Sequence, residues 1–136
     1  MTIRPVSFSD IDFLLHLARS RYGFVDDEAG RTWLEAVIPK AIETPDEIFF
    51  RRTDHGAIFA VKMTTFFAPT PEAHMSFLVA LPNRGFEGYR LLEAMIQWAR
   101  ALGASAHFGE QTGIDLSPYA KRLGAVLDRP SWTVGA

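Results

Sequence analysis

Residues 73–104 read AHMSFLVALPNRGFEGYRLLEAMIQWARALGA. Residues 74–81 are apolar nearly throughout, which predicts a strand covered on both faces. Leu91, Leu92, Met95, Ile96, Trp98, Ala99 and Leu102 then place a broad apolar face on a long helix, and Gly103 stands where a helix-ending glycine belongs. A glycine-bearing loop joins the two. A helix that starts after such a loop presents unpaired backbone N–H groups and a partial positive charge, and both suit a phosphate or pyrophosphate. Many α/β domains turn from strand to helix through glycine for structural reasons alone, so the loop is a weak signal by itself.

Toward the N-terminus, residues 2–6 read as a short strand and 10–20 as an amphipathic helix with Ser9 as its N-cap and Asp10 and Asp12 in its first turn. Residues 22–30 form a loop ending in Asp26, Asp27 and Glu28. A second helix is predicted over 32–43, with Pro39 expected to kink or restart it. The period then changes. Residues 47–52 and 57–67 read as a hairpin around the turn 53–56. Toward the C-terminus, 105–109 reads as a strand, 115–123 as a short helix closed by Gly124, and 125–128 and 131–134 as two final strands. The predicted order is β-α-α-β-β-β-α-β-α-β-β, a mixed α/β sheet of six or seven strands flanked by about four helices.

The 136 residues fit one domain spanning 1–136, long enough to bury a core. Apolar residues make up 48% and charged residues 22%, an ordinary globular composition. The net charge of −2 supplies no basic field for a polyanion, so no nucleic-acid partner is expected. With no cysteine there is neither a disulfide framework nor a thiolate metal site. The opening MTIRPVSFSD lacks a signal-peptide pattern, and no apolar run is long enough to span a bilayer. The expectation is a cytoplasmic protein with no membrane partner.

That order and several phrases resemble the GNAT superfamily of N-acyltransferases. IRPVSFSDIDFLLHLAR (3–19) looks like the family's first strand and helix. IFFRRTDHGAIFAV (48–61) resembles its second and third strands, LPNRGFEGYRLLEAMIQWARALGA (81–104) its cofactor loop and helix, and SPYAKRLGAVLDRPSWTV (117–134) its closing helix and strands. The resemblance implies that strands 74–81 and 105–109 splay apart. Pantetheine then lies in the gap against backbone of Leu78, Val79, Ala80 and Leu81. Asn83, Arg84, Gly85, Phe86, Glu87, Gly88 and Tyr89 would hold the pyrophosphate of acetyl-CoA, which enters as a substrate. The implied reaction transfers an acetyl group to a primary amine of a small-molecule or protein acceptor. Tyr119 is the implied acid, and His74 with Glu72 the implied base acting through water.

The sequence departs from the family pattern at these positions. Anchored on Leu91 and Leu92, the loop has Asn83 where Arg or Gln is usual, Phe86 at the first glycine and Gly88 at the second. Anchored on Pro82, it is short instead. The usual tyrosine position falls on Ala120, one residue and about 100° of helix away from Tyr119. The usual asparagine falls on Gly113. These departures suit a second reading, a GNAT-like scaffold that has lost catalysis and serves as a binding or structural module. Some phage and prophage genes encode shortened members of this kind.

Other residues have plainer readings. Glu87 suits the helix's first turn, where it offsets the dipole, although a carboxylate beside a phosphate repels it. His55 reads as a turn residue. His16 and His107 form no metal spacing with anything, so no metal is expected. Asp26, Asp27 and Glu28 either start a helix or attract a cationic amine. Trp33 and Trp98 read as core, and Trp132 as a possible homodimer contact.

Overall fold

The expected hairpin lies at the centre of a five-stranded sheet in the computed structural model, which describes residues 1–23, 26–67, 69–109, 116–125 and 134. The elements run β1 (Arg4–Pro5), a 3-10 turn (Phe8–Asp10), α1 (Ile11–Tyr22), α2 (Asp27–Glu43), β2 (Ile48–Arg52), β3 (Gly56–Met63), β4 (Glu72–Ala80), α3 (Gly85–Ala101), β5 (Ser105–His107) and α4 (Ser117–Arg122). Neighbouring strands follow the order β1-β2-β3-β4-β5. The first three pairings are antiparallel and β4–β5 is parallel. The two final strands expected over 125–128 and 131–134, and Trp132, fall almost wholly outside the described residues. The same holds for Gly113 and for the start of the helix expected at 115.

The sheet is covered on both faces, and the alternation of β3 shows how. Ala57 and Phe59 pack with Leu14, Leu17, Leu34 and Ile38 of α1 and α2. Ile58 and Ala60 pack with Leu91, Leu92 and Met95 of α3. On β4 the strict alternation fails. Phe59 pairs with Phe77 but Ala60 pairs with Met75, so Ser76 is an extra, exposed residue in a bulge. The bulge lets Met75 and Leu78 face α3 together, although they lie three apart, while Phe77 and Val79 face α1 and α2.

Several boundaries differ from the sequence expectation for identifiable reasons. The N-cap expected at Ser9 is displaced: Ser7 opens the 3-10 turn and donates its N–H to Asp10 Oδ2 at 2.8 Å. α2 starts five residues earlier than expected because Asp26 caps it, accepting from the Ala29 N–H at 3.0 Å. Asp27 is paired with Arg19 at 2.6 Å. α2 also runs unbroken through Pro39. Burial of Leu34 and Ile38 against the sheet offsets the single ladder bond that proline removes. β3 stops at Met63 and not at 67, leaving Phe66 99% and Phe67 73% exposed, with their rings edge-on to each other. Trp33, expected in the core, is 45% exposed, with its ring edge on Phe59. No helix among the described residues is long and apolar enough to cross a membrane.

Candidate functional site

The β4–β5 pairing is short. It joins Glu72 to Ser105, Ala73 to Ala106 and His74 to His107, and no β5 residue pairs beyond that point. β4 nevertheless continues for six more residues, to Ala80. Its backbone from Met75 onward therefore has no β5 partner among the described residues. Leu78 and Val79 bury their side chains in the two opposite cores, so what they can offer a ligand is backbone.

The unpartnered stretch leads into the start of α3. Leu81 is held by its N–H to His55 O at 2.9 Å, and Arg84 donates to Leu81 O at 3.1 Å. Asn83 takes a φ of 65°, the left-handed conformation that asparagine tolerates better than most residues. Arg84 then occupies the N-cap without a side-chain bond to the helix. Its carbonyl accepts from Glu87 N–H at 3.0 Å and Gly88 N–H at 3.3 Å. The N–H groups of Gly85 and Phe86 take no backbone acceptor among the described residues. These two donors lie at the positive end of a 17-residue helix, an arrangement that suits an anion, beside the exposed Asn83, Arg84 and Phe86. The Arg90 guanidinium lies 5.2 Å from the centre of the Phe86 ring.

Glu87 belongs to this loop by position, but its carboxylate is turned into the protein. Oε2 lies 2.8 Å from His55 Nδ1, and Oε1 accepts the His55 N–H at 3.1 Å. Burial works against the charge, but the Thr53 side chain and the two His55 donors outweigh it and hold the pKa below the ordinary glutamate value. The Thr53 hydroxyl is itself buried without a hydrogen bond of good geometry, so the His55 contacts are the firmer part of this arrangement. The repulsion expected between Glu87 and a phosphate is thereby weakened, since the carboxylate is engaged elsewhere. His55 is a turn residue as expected, and additionally a tie between the hairpin and α3.

Tyr119 reaches the same helix start from α4. Its hydroxyl donates to Gly85 O at 2.8 Å, and its ring packs against Tyr89 with centroids 5.4 Å apart. A Cβ on Gly85 would stand 3.0 Å from that hydroxyl, so the glycine is what lets Tyr119 approach. Gly88 is less constrained, with the nearest atom to an added Cβ, that of Ala80, at 3.8 Å.

The implied base sits at the other end of β4. His74 Nε2 is 2.9 Å from Glu72 Oε1. His107, which linear spacing connected with nothing, joins them. Its ring stacks on His74 at 4.7 Å with 13° between planes, and its Nε2 is 3.9 Å from Glu72 Oε1. Ser105 Oγ lies 2.8 Å from the same nitrogen. The signal that would have found His107 is strand register: in a parallel β4–β5 pair starting at Glu72 and Ser105, His74 and His107 fall opposite each other.

Comparison with known proteins speaks to the fold. No family model matches the sequence, and no curated protein does. Solved structures match along the whole chain. Glucosamine-6-phosphate N-acetyltransferase from Arabidopsis thaliana aligns with a TM-score of 0.75 at 12% identity, over 98% of this chain and 97% of its own. Aminoglycoside 6′-N-acetyltransferase from Acinetobacter baumannii aligns with a TM-score of 0.71 at 16% identity, over 99% and 97%. A GNAT family acetyltransferase from Staphylococcus aureus aligns with a TM-score of 0.67 at 16% identity, over 99% and 98%. At such identities the likeness is one of fold, and the chain has the GNAT N-acyltransferase fold.

Proposed function

We propose that this protein is an N-acetyltransferase that moves an acetyl group from acetyl-CoA to a primary amine. The observation that carries the reading is the six-residue run of β4 without a β5 partner among the described residues, which leads through 81–84 to two N–H groups at the start of α3 that take no backbone acceptor there. Pantetheine, which is amide-rich and extended, suits the unpaired strand edge, and the pyrophosphate suits the helix start. The amine lone pair attacks the thioester carbonyl carbon, and the C–S bond breaks. The departing thiolate takes a proton from water, because the Tyr119 hydroxyl is held on Gly85 O at the pyrophosphate end, away from His74 near the start of β4. The surplus proton on the nitrogen passes through water to His74, whose imidazolium Glu72 stabilises at 2.9 Å.

The reading is tested by following CoA release from acetyl-CoA across a panel of small amines and lysine peptides. Amine-dependent thiol release supports it. Acetyl-CoA binding without release against any amine favours the second reading, a non-catalytic module. That alternative has its own support in the bond between the Tyr119 hydroxyl and Gly85 O, which occupies the acid that the resemblance implies, and in Phe86 at the first glycine position of the loop.

A further inference from the structure

We infer that Glu72, His74 and His107 form a binding site for a divalent transition-metal ion, with Zn²⁺ as the best match. Three observations carry this. The donor set is two imidazole nitrogens and a carboxylate oxygen, which selects zinc-like ions over magnesium or calcium. The donor atoms all lie within 4.8 Å of one another. The two distances to Glu72 Oε1, 2.9 Å from His74 Nε2 and 3.9 Å from His107 Nε2, straddle the separation of about 3.4 Å that tetrahedral zinc requires with bonds of about 2.0–2.1 Å. The two rings stack with 13° between their planes, so one imidazole must turn out of the stack to aim its lone pair at the shared ion.

The scaffold fixes this arrangement. Glu72 and His74 are two residues apart on β4 and so share a face, and His107 stands opposite His74 in the parallel register. Both Nε2 atoms approach one carboxylate oxygen, and a divalent cation satisfies two lone pairs and a negative charge there together. The three side chains are 25%, 40% and 23% exposed, which leaves an entry path and an open coordination position for water. Ser105 Oγ, now 2.8 Å from His107 Nε2, is close enough to meet that water. The ion takes the His74 and Glu72 side chains that the proposed base role also uses, so the site is measured without acyl-CoA.

The test is a titration of chelator-stripped protein with Zn²⁺ by calorimetry and with Co²⁺ by visible absorption. The expected result is saturation at one ion per chain with the intense d–d bands of a low-coordinate Co²⁺ site. His74→Ala and His107→Ala should each weaken binding by more than about tenfold, the least that losing even a residue orienting a metal ligand costs. Glu72→Gln should weaken it as well, and His16→Ala should leave it unchanged. Unchanged melting curves of the ion-free variants show that folding is intact. Absence of saturable binding overturns the inference, as does binding that survives His107→Ala or that His16→Ala removes. If a histidine variant does not fold, a wild-type Co²⁺ spectrum of octahedral type overturns it without any variant.

Discussion

His55 and Glu87, 32 residues apart in sequence, clamp the β2–β3 turn to the first turn of α3 through two hydrogen bonds of 2.8 and 3.1 Å. The same turn holds the end of β4 through the Leu81 N–H. The start of α3 is therefore braced by a buried carboxylate.

Glu87→Ala should destabilise the fold by about 2–3 kcal/mol, the range for losing buried hydrogen bonds to a charged group. His55→Ala should cost less, because the backbone N–H of residue 55 still reaches the carboxylate. Urea unfolding measures both. Equal, near-zero losses would show that the clamp contributes nothing.

Acid should expose a second buried carboxylate. Asp10 is deeply buried and takes Arg4 at 2.9 and 3.1 Å and Arg52 at 2.9 Å. Burial opposes its charge, but the Arg4 hydrogen bond, the Ser7 N–H and the two guanidinium charges win and hold its pKa at about 2. A folded pKa below the unfolded one contributes stability that is complete above the unfolded value of about 3.8 and is lost as pH falls toward 2. The contribution at neutral pH is on the order of 2 kcal/mol. Glu87 shifts in the same direction and adds to the same acid loss. Asp10→Asn should lower stability at pH 7 and flatten its pH dependence below about 4, read as melting temperature against pH.

Gly88→Ala separates fold from ligand. An added Cβ meets only ordinary contact, and alanine favours a helix over glycine by up to about 1 kcal/mol. The ligand-free protein should melt slightly higher. If α3's start holds a pyrophosphate, the same methyl should weaken acetyl-CoA binding. Gly56→Ala should be the opposite case, since its Cβ would stand 3.1 Å from Val79 O, and overpacking of this kind costs about 1–3 kcal/mol.

Tyr119→Phe removes the donor to Gly85 O at the start of α3. It should raise KM for acetyl-CoA while kcat changes little. A loss of about a hundredfold in kcat at unchanged KM would instead assign Tyr119 to proton transfer.

Local patterns carried most of the fold. The apolar run at 74–81, the hairpin around 53–56 and the stripe from Leu91 to Leu102 each correspond to an observed element. Signals that depend on distant partners were not legible. Glu87 looked like a charge at a helix start, because nothing local reveals that His55 lies beneath it. His107 looked isolated, because its relation to His74 exists only once β4 and β5 are in register. The bulge at Ser76 was hidden in a continuous apolar strand, where alternation gives no warning. The long helix after the 81–84 loop, by contrast, was legible from its apolar stripe and is α3 in the structure.

The most direct test of acyl-CoA recognition is a thermal-shift titration with acetyl-CoA, with free CoA and ATP as controls. Ligand at about a hundred times its dissociation constant should stabilise the fold by about 2.7 kcal/mol, a rise in Tm on the order of 8 °C. A saturable rise with acetyl-CoA and CoA but not with ATP is the expected result. No shift at millimolar acetyl-CoA would contradict the account and assign the splayed strand and helix start to a scaffold that binds no acyl donor.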